Sequence, residues 1–291
     1  MKRKVELVVI SDVHLGTFGC HAQELFNYLK SIKPDCLILN GDIIDMWQFK
    51  KSYFPKEHLL VINRILKLVT NGTKVYYITG NHDEMLRRFS GFSNGNFHLR
   101  DQLVLNINKK KIWFFHGDAF DGSILKARWL AKIGGKSYDW LIVLNRYINN
   151  LLKFMGREPM SFAGAIKSKV KNAVKFMNDF EHEAINAAKN SNYDGVVCGH
   201  IHSPQIQQNG SVTYMNSGDW IENLTALEYD KGAWTMYKYQ PEQFAHTEND
   251  LLSEEDENEK KIAMNQNDLV SQFLKLHQQE NFPTETITNK Q

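Results

Sequence analysis

Val5-Glu6-Leu7-Val8-Val9-Ile10-Ser11-Asp12-Val13-His14 begins as an apolar run and ends in an acid and a histidine. A short Val- and Ile-rich run bounded by turn-forming residues reads as a buried strand. Residues 5–10 are therefore predicted to be a strand that delivers Asp12 and His14 at its carboxyl end. The same arrangement returns four times. Cys36–Leu39 leads to Gly41-Asp42-Ile43-Ile44-Asp45, and Lys74–Thr79 leads to Gly80-Asn81-His82-Asp83. Lys111–Phe115 leads to His116-Gly117-Asp118, and Gly195–Cys198 leads to Gly199-His200-Ile201-His202.

Further strand-like runs are Gln102–Ile107, Val212–Met215, Leu224–Tyr229 and Ala233–Tyr239. Helices are predicted at 21–32 and 56–70, the second with an apolar stripe at Leu59, Ile62, Leu66 and Val69. The opening half is then β-α-β-α-β, and the part after residue 195 is mostly strand. An α/β sandwich of two sheets flanked by helices accommodates both. Residues 123–190 interrupt it with almost pure helix signal and read as an insertion. The core is thus expected at 1–122 and 191–240, with the insertion at 123–190 and an acidic, disordered tail at 241–291.

Composition narrows the classes. The chain has 291 residues, 42% of them hydrophobic, enough for one large domain or a domain with an insertion. No run approaches the ~18 apolar residues of a membrane span, and no signal peptide is expected, since Met1 to Lys4 runs straight into the first predicted strand. Three cysteines without CxxC spacing favour neither a disulfide framework nor a zinc ribbon, so the expected compartment is the reducing cytoplasm. Net charge is +2, but residues 123–176 hold 11 basic and 2 acidic residues, whereas 240–291 hold 4 basic and 11 acidic. A localised positive segment points to an anionic partner.

The five motifs carry the chemistry. If the strand end stays extended, Asp12 and His14 at i and i+2 face one way and reach one ion, and His200 and His202 repeat the spacing. Asp42, Asn81 and His116 follow the other strands, with Gly41, Gly80, Gly117 and Gly199 allowing close backbone approach. A lone acid before a helix is usually a cap, but five such motifs in order argue for metal. Imidazole, carboxylate and amide donors suit Mn²⁺, with Fe²⁺ or Zn²⁺ next, better than Ca²⁺ or Mg²⁺. Asp12, His14, Asp42, Asn81, His116, His200 and His202 are too many for one ion with an open position. Two ions would use them, with Asp42 shared. His82 is a candidate to protonate a leaving oxygen, with Asp83 orienting its ring or capping the helix predicted at Glu84–Phe89. Asp45 and Asp118 are candidates to orient ligand histidines.

The set Ser-Asp-Val-His, Gly-Asp-Ile-Ile-Asp, Gly-Asn-His-Asp, His-Gly-Asp, Gly-His-Ile-His resembles the calcineurin-like metallophosphoesterase superfamily over residues 5–230. That resemblance implies a four-layer α-β-β-α sandwich. It also implies one metal on Asp12, His14, Asp42 and His202, another on Asp42, Asn81, His116 and His200, and His82 as the catalytic histidine. The substrate must be read from the insertion. Apolar residues between 139 and 155 cover well over half of a helical wheel, and Lys167, Lys171 and Lys175 form a basic stripe. A cap packed on itself explains this, as does an amphipathic lid for acyl chains and phosphate that also rests on an anionic inner-leaflet membrane.

An insertion between the fourth and fifth motifs is similar to that of the UDP-2,3-diacylglucosamine hydrolases of lipid A synthesis. Those enzymes split a lipid-linked pyrophosphate into UMP and a diacylglucosamine 1-phosphate. The resemblance implies a nucleotide-linked glycolipid substrate, with Asp121, Ser168, Asn172 and Lys175 as substrate contacts, to which the basic stripe adds Lys167 and Lys171 as candidates for a phosphate. Two features depart from that family: His82 stands where it commonly has arginine, and Ser203 precedes Pro204 where an arginine is frequent. A nuclease would also use basic helices, but the apolar excess argues against nucleic acid. A non-catalytic scaffold would lack ligands, and none is missing here.

Overall fold

Strands β1 (Arg3–Ile10), β2 (Ile32–Asn40), β3 (Lys74–Ile78) and β5 (Phe97–Arg100) run parallel as neighbours, because helices α1 (Ala22–Ser31) and α2 (Lys56–Thr70) supply the first two crossovers. This computed structural model describes residues 2–47, 54–123 and 163–244, with backbone alone for 121–123 and 163–174. The first sheet is completed by β4 (Ser93–Asn94), β11 (Thr225–Asp230) and β12 (Ala233–Lys238), in the order β12-β11-β1-β2-β3-β5-β4. The second sheet holds β6 (Gln102–Ile107), β7 (Lys110–Phe115), β8 (Gly195–Cys198), β9 (Gln205–Asn209) and β10 (Val212–Asn216). Its order is β6-β7-β8-β10-β9, with β7, β8 and β10 parallel at the centre and antiparallel strands at both edges.

Side-chain alternation along the strands builds the layers. Val8, Ile10, Leu37, Leu39, Val75 and Tyr77 face α1 and α2. The intervening Leu7, Val9, Ile38, Tyr76 and Ile78 meet Ile112, Phe114, Val197 and Met215 of the second sheet. The outer face of that sheet offers Phe115, Val196, Cys198, Val212 and Tyr214 to helix α3 (Ala163–Asn190). Strands apolar on both faces are the signature of a sheet covered on both sides. The result is the four-layer α-β-β-α arrangement.

Three details differ from the expected pattern. The buried face of α2 is not the stripe Leu59, Ile62, Leu66, Val69: Leu66 is 52% exposed, and the face centres on His58, Val61, Ile65 and Leu68. The apolar arc of α2 is wide, and the sheet selects its middle. Arg64 shares that face because its guanidinium donates to the Leu29 carbonyl at 3.0 and 3.1 Å, so a charge hides within the buried stripe. The two-residue β4 and the polar β9 carry no period-2 apolar pattern, and the alternation of β5, Phe97-His98-Leu99-Arg100, spans only four residues, so none of the three is among the expected strands. Finally, α3 buries Phe180, Ala184, Ile185 and Ala188, so the last turns of the segment read as an insertion are the fourth layer of the core. Residues 124–162 and the expected acidic tail from 245 lie outside the described residues. No described helix is long and apolar enough to cross a membrane.

Phe114 is fully buried at the sheet–sheet interface, whereas Val104 is 41% exposed on an edge strand. Phe114→Ala is expected to cost about 3–5 kcal/mol and Val104→Ala less than about 0.5 kcal/mol, measured by urea unfolding.

Candidate metal centre

Parallel β1, β2 and β3 end at one edge of the first sheet, and β7 and β8 end beside them in the second. All five motifs lie just past those ends, which is where α/β sheets place their sites. The loops are tied to one another through the backbone. Asp12 N donates to the Gly41 carbonyl at 3.1 Å, Val13 N and His14 N donate to that of Asp42 at 3.0 and 2.9 Å, and Gly199 N donates to that of His116 at 2.9 Å.

The backbone conformation at these residues is not extended. Asp12, His14, Asp42, His200 and His202 all have positive φ, at 52°, 54°, 54°, 69° and 51°. Non-glycine residues seldom take this left-handed conformation, which costs about 1–2 kcal/mol each, and it concentrates at functional sites. This corrects the argument from i, i+2 spacing. His200 and His202 do not converge on one ion position. His202 groups with Asp12 and His14, and His200 groups with Asp42 and His116. Close packing removes any room for larger residues: a Cβ at Gly80 would overlap the Asp42 carboxylate, one at Gly41 the His116 ring, and one at Gly199 the Asp12 carboxylate and Ser11.

Within each group the ligand atoms lie within 4.8 Å of one another. His202 Nε2 is 3.2 Å from Asp12 Oδ1, and His116 Nε2 is 3.2 Å from Asp42 Oδ2. The same Asp42 oxygen lies 4.0 Å from the Nε2 atoms of His14 and His82, so Asp42 faces both groups. Its other oxygen accepts from the backbone N–H of His82 at 2.8 Å, which holds the third motif, with the buried Asn81, against it. Asp12 likewise accepts from His200 N at 3.0 and 3.2 Å.

Electrostatics follow from the burial. Desolvation opposes ionisation of Asp12, yet the His202 imidazole beside it holds its carboxyl down at about 2. Asp42 is likewise desolvated, and His116, His82 and His14 push it far below the usual carboxylate range. Burial disfavours charge on His202, but Asp12 and Asp219 raise it to about 9, and Asp42 with Asp12 raises His116 well above its ordinary value. Protons thus sit between imidazole and carboxylate, where a cation would replace them.

The residues fit metal. His14 Nε2 and His116 Nε2 are buried and lack a well-directed hydrogen bond, although the latter lies 3.2 Å from Asp42 Oδ2, while their Nδ1 atoms face Asp45 Oδ2 at 3.4 Å and the Asn40 carbonyl at 2.9 Å. An imidazole anchored through Nδ1 offers Nε2 as a ligand. His14, Asp45 and His82 form a third close group, in which His82 Nδ1 donates to Asp45 Oδ2 at 2.9 Å.

The expected supporting roles are partly redistributed. Asp45, not Asp83, holds the His82 ring. Asp83 is buried and accepts from Tyr77 Oη at 2.6 Å, Ile43 N at 3.0 Å and Gly80 N at 2.6 Å, tying the second motif to the third. Its side chain does not cap the 3-10 turn Glu84–Phe89. Asp118 accepts from Arg87 at 2.8 Å rather than from a ligand histidine. Asp121, Lys167, Ser168, Lys171 and Asn172 are placed by backbone only, the first in a 3-10 turn packed beside α3 and the rest on α3; Lys175 is exposed. Residues the sequence reading missed include Asn40, whose carbonyl anchors His116, and Asp219, fully buried with Oδ2 3.9 Å from His202 Nδ1. Asp219 had a signal: Asn216-Ser217-Gly218-Asp219 follows a strand just as the five motifs do. Trp47, 43% exposed, lies 4.6 Å from the His82 ring centroid to centroid.

Residues 5–204 match the family model described as calcineurin-like phosphoesterase. A UDP-2,3-diacylglucosamine hydrolase from Aliivibrio fischeri is 24% identical over 80% of this chain and 98% of that protein. One from Wigglesworthia glossinidia brevipalpis is 27% identical over 76% and 90%. A solved phosphoesterase from E. coli matches at 14% identity and TM-score 0.38, covering 80% of this chain and 99% of that one.

Because His202 is raised to about 9 by Asp12 and carries its proton below that pH, cation binding must expel it. Calorimetry in buffers of different ionisation enthalpy is expected to register proton release. Mn²⁺ affinity should rise about tenfold per pH unit for each proton displaced, with the His202 contribution to that rise ending near pH 9.

Proposed function

The chain belongs to the calcineurin-like phosphoesterase family, and on that footing we propose that it hydrolyses the pyrophosphate of UDP-2,3-diacylglucosamine to UMP and 2,3-diacylglucosamine 1-phosphate. The observation that carries the reaction class is the Asp42 carboxylate facing imidazoles of both ligand groups, His116 at 3.2 Å and His14 at 4.0 Å. The names of the curated relatives support the substrate. Two divalent ions, Mn²⁺ by preference, supply Lewis-acid activation of water and neutralise phosphoryl oxygens when bound.

In this reading Asp12, His14 and His202 would hold one ion and Asn81, His116 and His200 the other, with Asp42 available to both. Each imidazole needs its inward nitrogen deprotonated. Asp45 and the Asn40 carbonyl fix the rings of His14 and His116 for that. His82, with Nδ1 on Asp45, directs its opposite edge toward the Asp42 side and protonates the leaving phosphate oxygen. Segment 123–190 recognises the lipid, with Asp121, Lys167, Ser168, Lys171, Asn172 and Lys175 contacting the substrate. Its basic and apolar residues also rest on an anionic membrane surface on the cytoplasmic side.

Turnover with added Mn²⁺ should be measured on UDP-2,3-diacylglucosamine, the deacylated UDP-sugar and a simple phosphodiester. The acylated substrate is expected to react fastest; equal rates on the first two would sink lipid recognition, and preference for the simple ester would favour a general phosphodiesterase. His82→Ala is expected to lower kcat about 10²- to 10⁴-fold at unchanged metal content. Near-wild-type turnover would remove His82 from the chemistry.

A further inference from the structure

We propose that His58 is a positioning residue for the metal centre, its neutral imidazole holding the loop that carries His14. The inference rests on the metal-dependent reading above. His14 sits in left-handed backbone, so its ring direction depends on how the following residues are held. Leu15 N donates to the Ile43 carbonyl at 2.8 Å and Leu15 O accepts from Asp45 N at 2.9 Å. Thr17 turns back, with N and Oγ1 3.1 and 2.9 Å from the His14 carbonyl. Between these, the buried Gly16 (φ 103°) donates its N–H to His58 Nδ1 at 2.8 Å.

His58 is the third residue of α2 and only 3% exposed. A backbone N–H at Nδ1 requires that nitrogen to be the acceptor, so the ring is neutral with its proton on Nε2. Burial lowers the ring's pKa against the opposing pull of Glu57, which favours the same form. Phe54 packs edge-on at 5.4 Å and limits its movement. An apolar residue would fill this part of the α2 face as well as histidine does. What imidazole adds is the acceptor, without which a buried Gly16 N–H is left unmatched. A loop shift that reaches water would relieve that cost, and His14, two residues away, would shift with it.

The test is Mn²⁺ binding to the full chain, followed by electron paramagnetic resonance, for wild type, His58→Leu and His58→Asn, with thermal melts of each metal-free protein. Leucine keeps apolar volume but has no acceptor; asparagine places Oδ1 where Nδ1 stood but packs poorly. The Leu variant is expected to bind one of two Mn²⁺ equivalents about fivefold to tenfold more weakly while melting near wild type. The Asn variant is expected to bind both within about twofold of wild type although it melts lower. Affinity and stability would then rank the variants in opposite orders, which a purely structural role cannot produce. Wild-type affinity in the Leu variant, or equal weakening in both, overturns the proposal. Failure of wild type to bind Mn²⁺ overturns the metal-dependent reading instead.

Discussion

A buried negative charge at Asp42 is the constraint around which the centre is arranged. An ionised carboxylate 2% exposed is costly unless opposite charge or hydrogen bonds surround it. Here the His82 N–H engages one oxygen, and the imidazoles of His116, His14 and His82 crowd the other. These groups come from the first, third and fourth motifs, which belong to three strands in both sheets. The two sheets must therefore end at the same level, and the inter-sheet core of Leu7, Ile38, Phe114 and Val197 sets that level. Core packing and site geometry are in this sense one problem.

Asp83 and Asp45 divide the work of the second and third motifs between them. Asp83 takes up Tyr77, Ile43 and Gly80 and fixes the distance between the two loops. Asp45 is left to hold rings, meeting His82 and His14 through their Nδ1 atoms. The His82 ring is also packed beside Trp47, 4.6 Å between centroids. The position that departs from the diacylglucosamine hydrolase pattern is therefore built into its surroundings, with a carboxylate partner and an aromatic neighbour of its own.

Much of this is legible in the sequence, for a physical reason. Central parallel strands are apolar on both faces, so Val5–Ile10, Lys74–Thr79 and Gly195–Cys198 announce themselves, and the residues that follow must lie at one edge. Edge strands such as β9, Gln205–Asn209, bury little and leave no such pattern. Handedness is also hidden. Nothing local says that Asp12 and His14 adopt positive φ, because the hydrogen bonds that impose it come from Gly41 and Asp42. The same holds for the partner of His82: Asp83 is adjacent in sequence, but Asp45 is adjacent in space. The buried face of α2 is chosen by a sheet that the helix alone cannot reveal.

The glycines bear on how such motifs endure through evolution. Gly80 and Gly199 have no left-handed backbone to explain them; they are excluded from change by volume, since the first added carbon would occupy the space of a ligand carboxylate. Selection would then hold these positions as firmly as the candidate metal ligands themselves, although they contribute no atom to the chemistry. Counting invariant letters in the motifs would overstate the number of reacting groups. Part of what these motifs specify is therefore room for a carboxylate rather than a reacting group.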